Sequence, residues 1–410
     1  MRLPLVLLAS LATSCALTGA ASAQVTFTPL GDLAGGNFAS FALAVSEDGS
    51  VVVGESSTGS GQRAFRWTQS TGVDSLGVFA GGGASTAFGV SGSGNTVIGS
   101  SQSTTAGSNR EAFRWTSPGG LQSLGDLPGG PYSSVAFGVS SDSNVIVGES
   151  RSDIGIEAFR WTPLGGMEGL GELPGESLPG IFQSRANAVS GDGTVIVGES
   201  ESGNGVEAFR WTQATGMVAL GDLPGGDFDS NAFAVSFDGT AIVGHSWSSN
   251  SDTEAFLWTQ SGGMIGLGDL PGGGFFSIAQ GISGDGSLVV GISESANPIS
   301  GFDAFIWAES LGMVNLKEYL LTNYADSLPG DFNAWNLERA TAISRDGTTI
   351  VGSGFNPNGQ REAFRIRFEG GFLPTAPSMQ APEPSALGLL IGGILTAVST
   401  LRIARRRTRF

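Results

Sequence analysis

The 410-residue chain has one cysteine, Cys15, and one histidine, His245. With no second thiol it has no disulfide framework and no thiolate metal site. Cys15 lies in an N-terminal apolar leader, so the body has no catalytic cysteine either. A lone histidine has no histidine partner for a metal site and no triad around it. Charged residues make up only 14% of the chain, which leaves few helix-forming surface charges. Basic residues are the scarcer kind, 20 against 37 acidic. Without the terminal arginines and Glu383 the body keeps 14 basic and 36 acidic residues, a formal charge of about −22. Such a surface repels nucleic acid and anionic membranes, and neither is expected as a partner of the body.

Glycine, in contrast, is abundant at 66 residues, and the sequence repeats itself. The phrase Glu207-Ala208-Phe209-Arg210-Trp211-Thr212 is followed by Gly216-Met217 and then by Leu220-Gly221-Asp222-Leu223-Pro224-Gly225-Gly226. Trp67, Trp115, Trp161, Trp211, Trp258 and Trp307 mark six copies, 46 to 50 residues apart, and Ile366 replaces the tryptophan in a seventh. This period overrides the two or three domains that length alone suggests.

Each copy divides into four short β-compatible runs bounded by turn residues. In the fifth copy these are Asn231 to Ser236, Thr240 to Gly244, Glu254 to Thr259 and Met264 to Leu270. Phe237-Asp238-Gly239 joins the first two, and Asp-Gly favours a tight hairpin because glycine accepts positive φ. The second and third copies weaken this signal to Gly92-Ser93-Gly94 and Ser141-Asp142-Ser143. Runs such as Val195-Ile196-Val197-Gly198 are continuously apolar, which predicts a strand covered on both faces. Phe113 and Trp115 share one face of their strand and read as packing between units. Arg66, Arg114, Arg160, Arg210 and Arg365 recur beside them and read as partners of turn carbonyls or aspartates.

Four strands in about 48 residues, seven times over, predict an all-β fold, a seven-bladed β-propeller over residues 24–370. A parallel β-helix is the rival, but it must double its usual coil length and needs no Asp-Gly hairpins. The last unit stops without a Leu-Gly-Asp-Leu run, while Val25 to Leu33 is a spare copy at the other end. The N-terminal strand is therefore expected to complete the last blade and remove an exposed edge. The Ala-Phe-x-Trp, Gly-Met-x-x-Leu-Gly-x-Leu and Ser-x-Asp-Gly-x-x-x-Val-Gly phrases resemble the extracellular HAF repeat family over Val25 to Phe368. That resemblance implies a propeller-like array and carries no established reaction. The chain departs from it at the namesake histidine, replaced by Arg63, Glu111, Glu157, Glu207, Glu254, Asp303 and Glu362.

The two ends read as addresses. Arg2, an apolar run and Ala21-Ser22-Ala23 make residues 1–23 a secretory signal peptide. Residues 371–381 form a linker, and residues 382–410 hold Pro382, Glu383 and Pro384, an apolar stretch from Ala386 to Leu401, and a terminal cluster of arginines. Sixteen apolar residues flanked by snorkelling arginines suffice for a transmembrane helix with the body outside. The three parts together resemble the PEP-CTERM sorting signal, which implies processing by an exosortase and display on the surface of exopolysaccharide-producing cells.

No catalytic residue, cofactor or metal ligand stands out. The turn aspartates come one per unit, too few for the oxygen shell of Ca²⁺ unless several units share a site. Candidate contact residues are those that break the repeat: His245 and Trp247, and Phe332 and Trp335 in the enlarged interval between Leu311 and Arg339. The expectation is a non-catalytic exported protein, anchored by its C-terminal helix and then placed at the cell surface or in the matrix, that binds or scaffolds extracellular polysaccharide or surface proteins. The alternative is a carbohydrate-active propeller enzyme using paired carboxylates in the central channel.

Overall fold

The computed structural model describes residues 24–107, 109–175, 182–249 and 252–372. The signal peptide, residues 373–381 of the linker and the sorting signal with Pro382, Glu383 and Pro384 lie outside them. Among the described residues no helix is long and apolar enough to cross a membrane.

The protein is all-β. The described strands fall into seven antiparallel sets of four, whose first strands are Gly35–Val45, Ser85–Val90, Gly129–Val139, Phe182–Val189, Gly225–Val235, Ser277–Ile282 and Asn336–Ile343. In the fifth set the order continues with Ala241–Ser248, Thr253–Thr259 and Gly263–Gly266. The first strand thus starts six residues before the expected Asn231, because Gly225 already pairs with Ser248 across a register shift. The outer strand stops short of the expected Leu270. There the Leu267 N–H turns back to the Ala255 carbonyl, and both leucines enter the core. In the seventh set the fourth strand is Gln24–Gly31, antiparallel to Arg361–Glu369 with Val25 opposite Phe368 and Phe27 opposite Ile366.

Seven apolar clusters lie between successive sets, each uniting the alanine and valine or isoleucine face of one with the phenylalanine and tryptophan of the next, Ile366 replacing the tryptophan in the seventh set. One of them joins Val351 and Ala363 of the last set to Phe65 and Trp67 of the first. The repeated phenylalanines are fully buried, the tryptophans pack buried or half-buried against the same clusters, as their recurrence implied, and the continuously apolar second strands are buried on both sides. Arg66 and Arg365 donate through Nε to the carbonyls of Gly94 and Gly49, the turn glycines of the following sets. Arg160 pairs instead with Glu168.

A feature invisible in the repeat phrase stitches the sets together. A buried serine on each of six first strands accepts the N–H of the repeated alanine of the preceding set, as Ser230 does from Ala208 and Ser277 from Ala255. The same hydroxyl donates to the glycine carbonyl of the preceding Leu-Gly run, as Ser230 does to Gly221 at 2.8 Å. Ser40 makes the same bridge between the first set and the last, accepting from Ala363 and donating to Gly31. In the seventh set the slot holds Glu338, buried and bound by Arg361 through both carboxylate oxygens.

The Ser-x-Asp-Gly phrase forms a self-capped turn. Ser190 donates to Asp192 Oδ1, which also accepts the backbone and hydroxyl of Thr194, while the Val195 N–H returns to Ser190 Oγ. The third set puts Ser143 at the position glycine holds elsewhere, with φ 64°. Serine pays steric strain there that glycine avoids. Ser143→Gly is therefore expected to raise stability by about 0.5–1 kcal/mol in urea unfolding; an unchanged or lower midpoint would count against the strain.

In Asp48, Asp192, Asp285 and Asp346 burial pushes the carboxyl up, but the turn donors together outweigh it. In Asp142 and Asp238 the donors are the larger effect. All six sit below the ordinary carboxylate range, so they stabilise the fold above about pH 4 and lose that contribution as pH falls below it. Glu55 and Glu199 are held above their ordinary value by burial, and their penalty is relieved on acidification. The thermal midpoint should hold or rise slightly from pH 7 to about 5 and drop steeply below about 4. Continuous loss starting at pH 6 would contradict this balance.

Candidate binding pocket

The repeat breaks between the sixth and seventh sets, at the one junction whose serine slot is Glu338, and a cavity of about 670 Å³ opens there. Asn315 starts the helix Leu316–Tyr324 by accepting the Glu318 N–H, and Leu316, Tyr319 and Leu320 bury one of its faces. Its other side, with Lys317, Glu318 and Leu321, forms one wall. The loop from Ser295 to Ile299 forms a second, and the 3-10 turn Phe332–Ala334 with Trp335 and Asn336 a third. Lys317 Nζ donates to the carbonyls of Asn333 at 2.8 Å and Trp335 at 2.6 Å, pinning the helix to the turn. Burial pushes the Lys317 ammonium below its ordinary value, with the nearby Asp303 charge opposing.

Polar side chains cross the cavity floor as a relay. Asn336 Nδ2 donates to Asn297 Oδ1 at 2.9 Å, Asn297 Nδ2 to Asp303 Oδ1 at 2.6 Å, and Ser295 Oγ to Asp303 Oδ2 at 2.8 Å. Asn336 is only 4% exposed, and its Oδ1 has no hydrogen-bond partner among the described residues. A buried acceptor left open costs stability, which a donor from a ligand or water would recover. Apolar surface adjoins the relay at Pro271, Pro298 and the exposed Ile299.

The four contact candidates from the sequence fare differently. Phe332 and Trp335 are 1% and 3% exposed, with ring centroids 4.9 and 5.0 Å from Phe27, so they are core rings and not surface contacts. Trp335 still lines the cavity, and both brace its wall from behind. His245 lies inside a strand that continues to Ser248, not just beyond one, and is half-buried 5.4 Å from the Phe233 ring. Burial holds its pKa below the ordinary value, opposed by Asp229. Trp247 is 36% exposed on the same strand. Asn297 and Asn336 escaped the sequence reading. The extra Ala296-Asn297-Pro298 of the sixth unit was their one signal, and loops at that place vary in every unit.

The ends of the seven first strands line one shared cavity. On these strands Arg185 donates to Glu149 at 2.7 Å and to Glu199 at 3.2 Å, and Asn231 donates to Glu199 at 2.5 Å. At the turn end the ring runs Glu47, Gly92, Ser141, Gly191, Phe237, Gly284, Arg345, each backbone N–H bonding the next carbonyl from Glu47 to Arg345. Arg345 closes the circle on Glu47 at 3.3 Å and stacks over Phe237 at 3.3 Å, while Ser141 bonds Glu47. The glycines leave the room these side chains fill: a Cβ on Gly191 would strike the Phe237 ring.

No protein-family model matches the sequence, and no curated protein matches it either. Among solved structures, TolB from Acinetobacter baumannii is similar at 13% identity and a TM-score of 0.43, over 79% of this chain and 82% of that one. A putative TolB from Agrobacterium tumefaciens is 15% identical with a TM-score of 0.40, over 60% and 89%. Kuenenia stuttgartiensis hydrazine synthase is 12% identical with a TM-score of 0.43, over 83% and 96%. None carries a ligand or an activity over to this chain.

Proposed function

We propose that the protein is an exported seven-bladed β-propeller that binds extracellular polysaccharide without catalysis, through the cavity between its sixth and seventh units. The observation that carries this reading is the cavity's place: it occupies the junction that lacks the serine bridge, where an inserted helix and turn replace the repeat. Propeller closure is supported by the Ser40 bridge and by the cluster shared between first and last sets. Amides beside apolar surface suit a sugar, whose hydroxyls and C–H faces need both kinds of contact. In this reading an exosortase processes the chain at Pro382, Glu383 and Pro384, after the C-terminal helix has held it in the membrane.

The channel-carboxylate enzyme is the weaker reading, because one guanidinium bridges Glu149 and Glu199 and offsets the charge of the pair. Ala296 is exposed on the cavity wall, so Ala296→Trp fills the space without touching the core. On a glycan array the wild type is expected to retain matrix polysaccharides and this variant to lose them at unchanged thermal midpoint. Equal retention by both would overturn the assignment of the cavity, and release of shortened products would restore the enzyme.

A further inference from the structure

Resting on the reading of this cavity as a glycan site, we infer that it takes un-ionised, hydroxyl-rich saccharides and rejects those bearing carboxylates. The wall carries two carboxylates against one ammonium. Asp303 and Glu318 bring two carboxylates, and Glu318 is exposed. The buried Asn336 Oδ1 is an acceptor without a partner among the described residues. A hydroxyl can donate to the carboxylates, whereas a uronate oxygen only accepts. The cationic group on the wall, Lys317, has two of its three N–H donors committed to the Asn333 and Trp335 carbonyls. The Asn336 amide is likewise committed to Asn297, and Asn297 to Asp303. The charged groups of the wall therefore sum to a net negative charge. The surrounding body adds to this with its large excess of acidic residues, 37 against 20 basic in the chain. Coulomb repulsion close to a low-dielectric wall is poorly screened, so a carboxylate on every sugar would oppose binding directly.

The test compares one polymer in two charge states. Alginate oligomers and the same oligomers with their carboxyls reduced to hydroxymethyl groups are titrated into the full body by calorimetry at low salt. The reduced form is expected to bind at least tenfold more tightly. Glu318→Gln, an exposed position outside the relay, should narrow that ratio severalfold, and so should 0.5 M salt, which shortens the screening length to a few ångströms. Equal or tighter binding of the carboxylated form overturns the charge selectivity while leaving the glycan site standing, provided Ala296→Trp still abolishes it. Binding of the reduced form that survives Ala296→Trp overturns the site itself, and so does failure of both forms together with laminarin and dextran.

Discussion

Gly198→Ala is expected to destabilise the protein by about 3 kcal/mol or more. Gly198 ends the run Val195-Ile196-Val197, which the sequence presented only as strand chemistry. In the structure the paired first strand carries a register shift between Ala186 and Ala188, and the Arg185 carbonyl lies where a Cβ on Gly198 would go. The obstacle is backbone, so no side-chain rotation relieves it. The same carbonyl encounter recurs at Gly54, Gly99, Gly148, Gly244, Gly291 and Gly352, which explains why the phrase never varies there. Gly216, with φ 66° and open space around it, is the control; its alanine variant should cost only about 1 kcal/mol of backbone strain. Urea unfolding that ranks the two equally would refute the clash.

Phe27→Ala should cost about 3–5 kcal/mol, although Phe27 lies near the beginning of the described chain and on an outer strand. Its ring is 7% exposed and packs edge-on against Phe332 and Trp335 and at 6.0 Å from Phe364. The loss removes the strand that completes the last set and the support behind the cavity wall together. Thermal melting should show a large drop for Phe27→Ala and almost none for the half-buried Thr28→Ala. Glycan affinity should fall with the former, since Trp335 would lose the ring that fixes it. A variant that melts within a degree or two of wild type would mean that the N-terminal strand is not holding the fold.

Much of this architecture was legible because each repeat states the same local rule seven times. The turn phrases, the doubly covered second strand, the aromatic packing face and the spare N-terminal strand all follow from period and burial. Contacts between units were not legible. The bridging serines sit among small polar residues that read as turn material, and only the fold shows that they are buried and bonded to the preceding alanine. Phe332 and Trp335 looked like loop aromatics because the residue that buries them, Phe27, is some 300 positions away. The enlarged interval did point to the cavity, but not to Asn297, which reaches it from the neighbouring set.

The ring at the turn end of the first strands obeys a parity rule. Going round from Glu47, side-chain-bearing and glycine positions alternate until Arg345, and an odd circle must then set two side chains next to each other. Those two are the oppositely charged pair, Arg345 and Glu47. The sign of each charge is thus tied to the order in which the circle is joined: a mismatched joining would set a large side chain beside another with no attraction to offset the crowding. Losing the first or the last unit would remove one member of that pair and restore strict alternation, so the charged contact is what an odd number of units requires at the join.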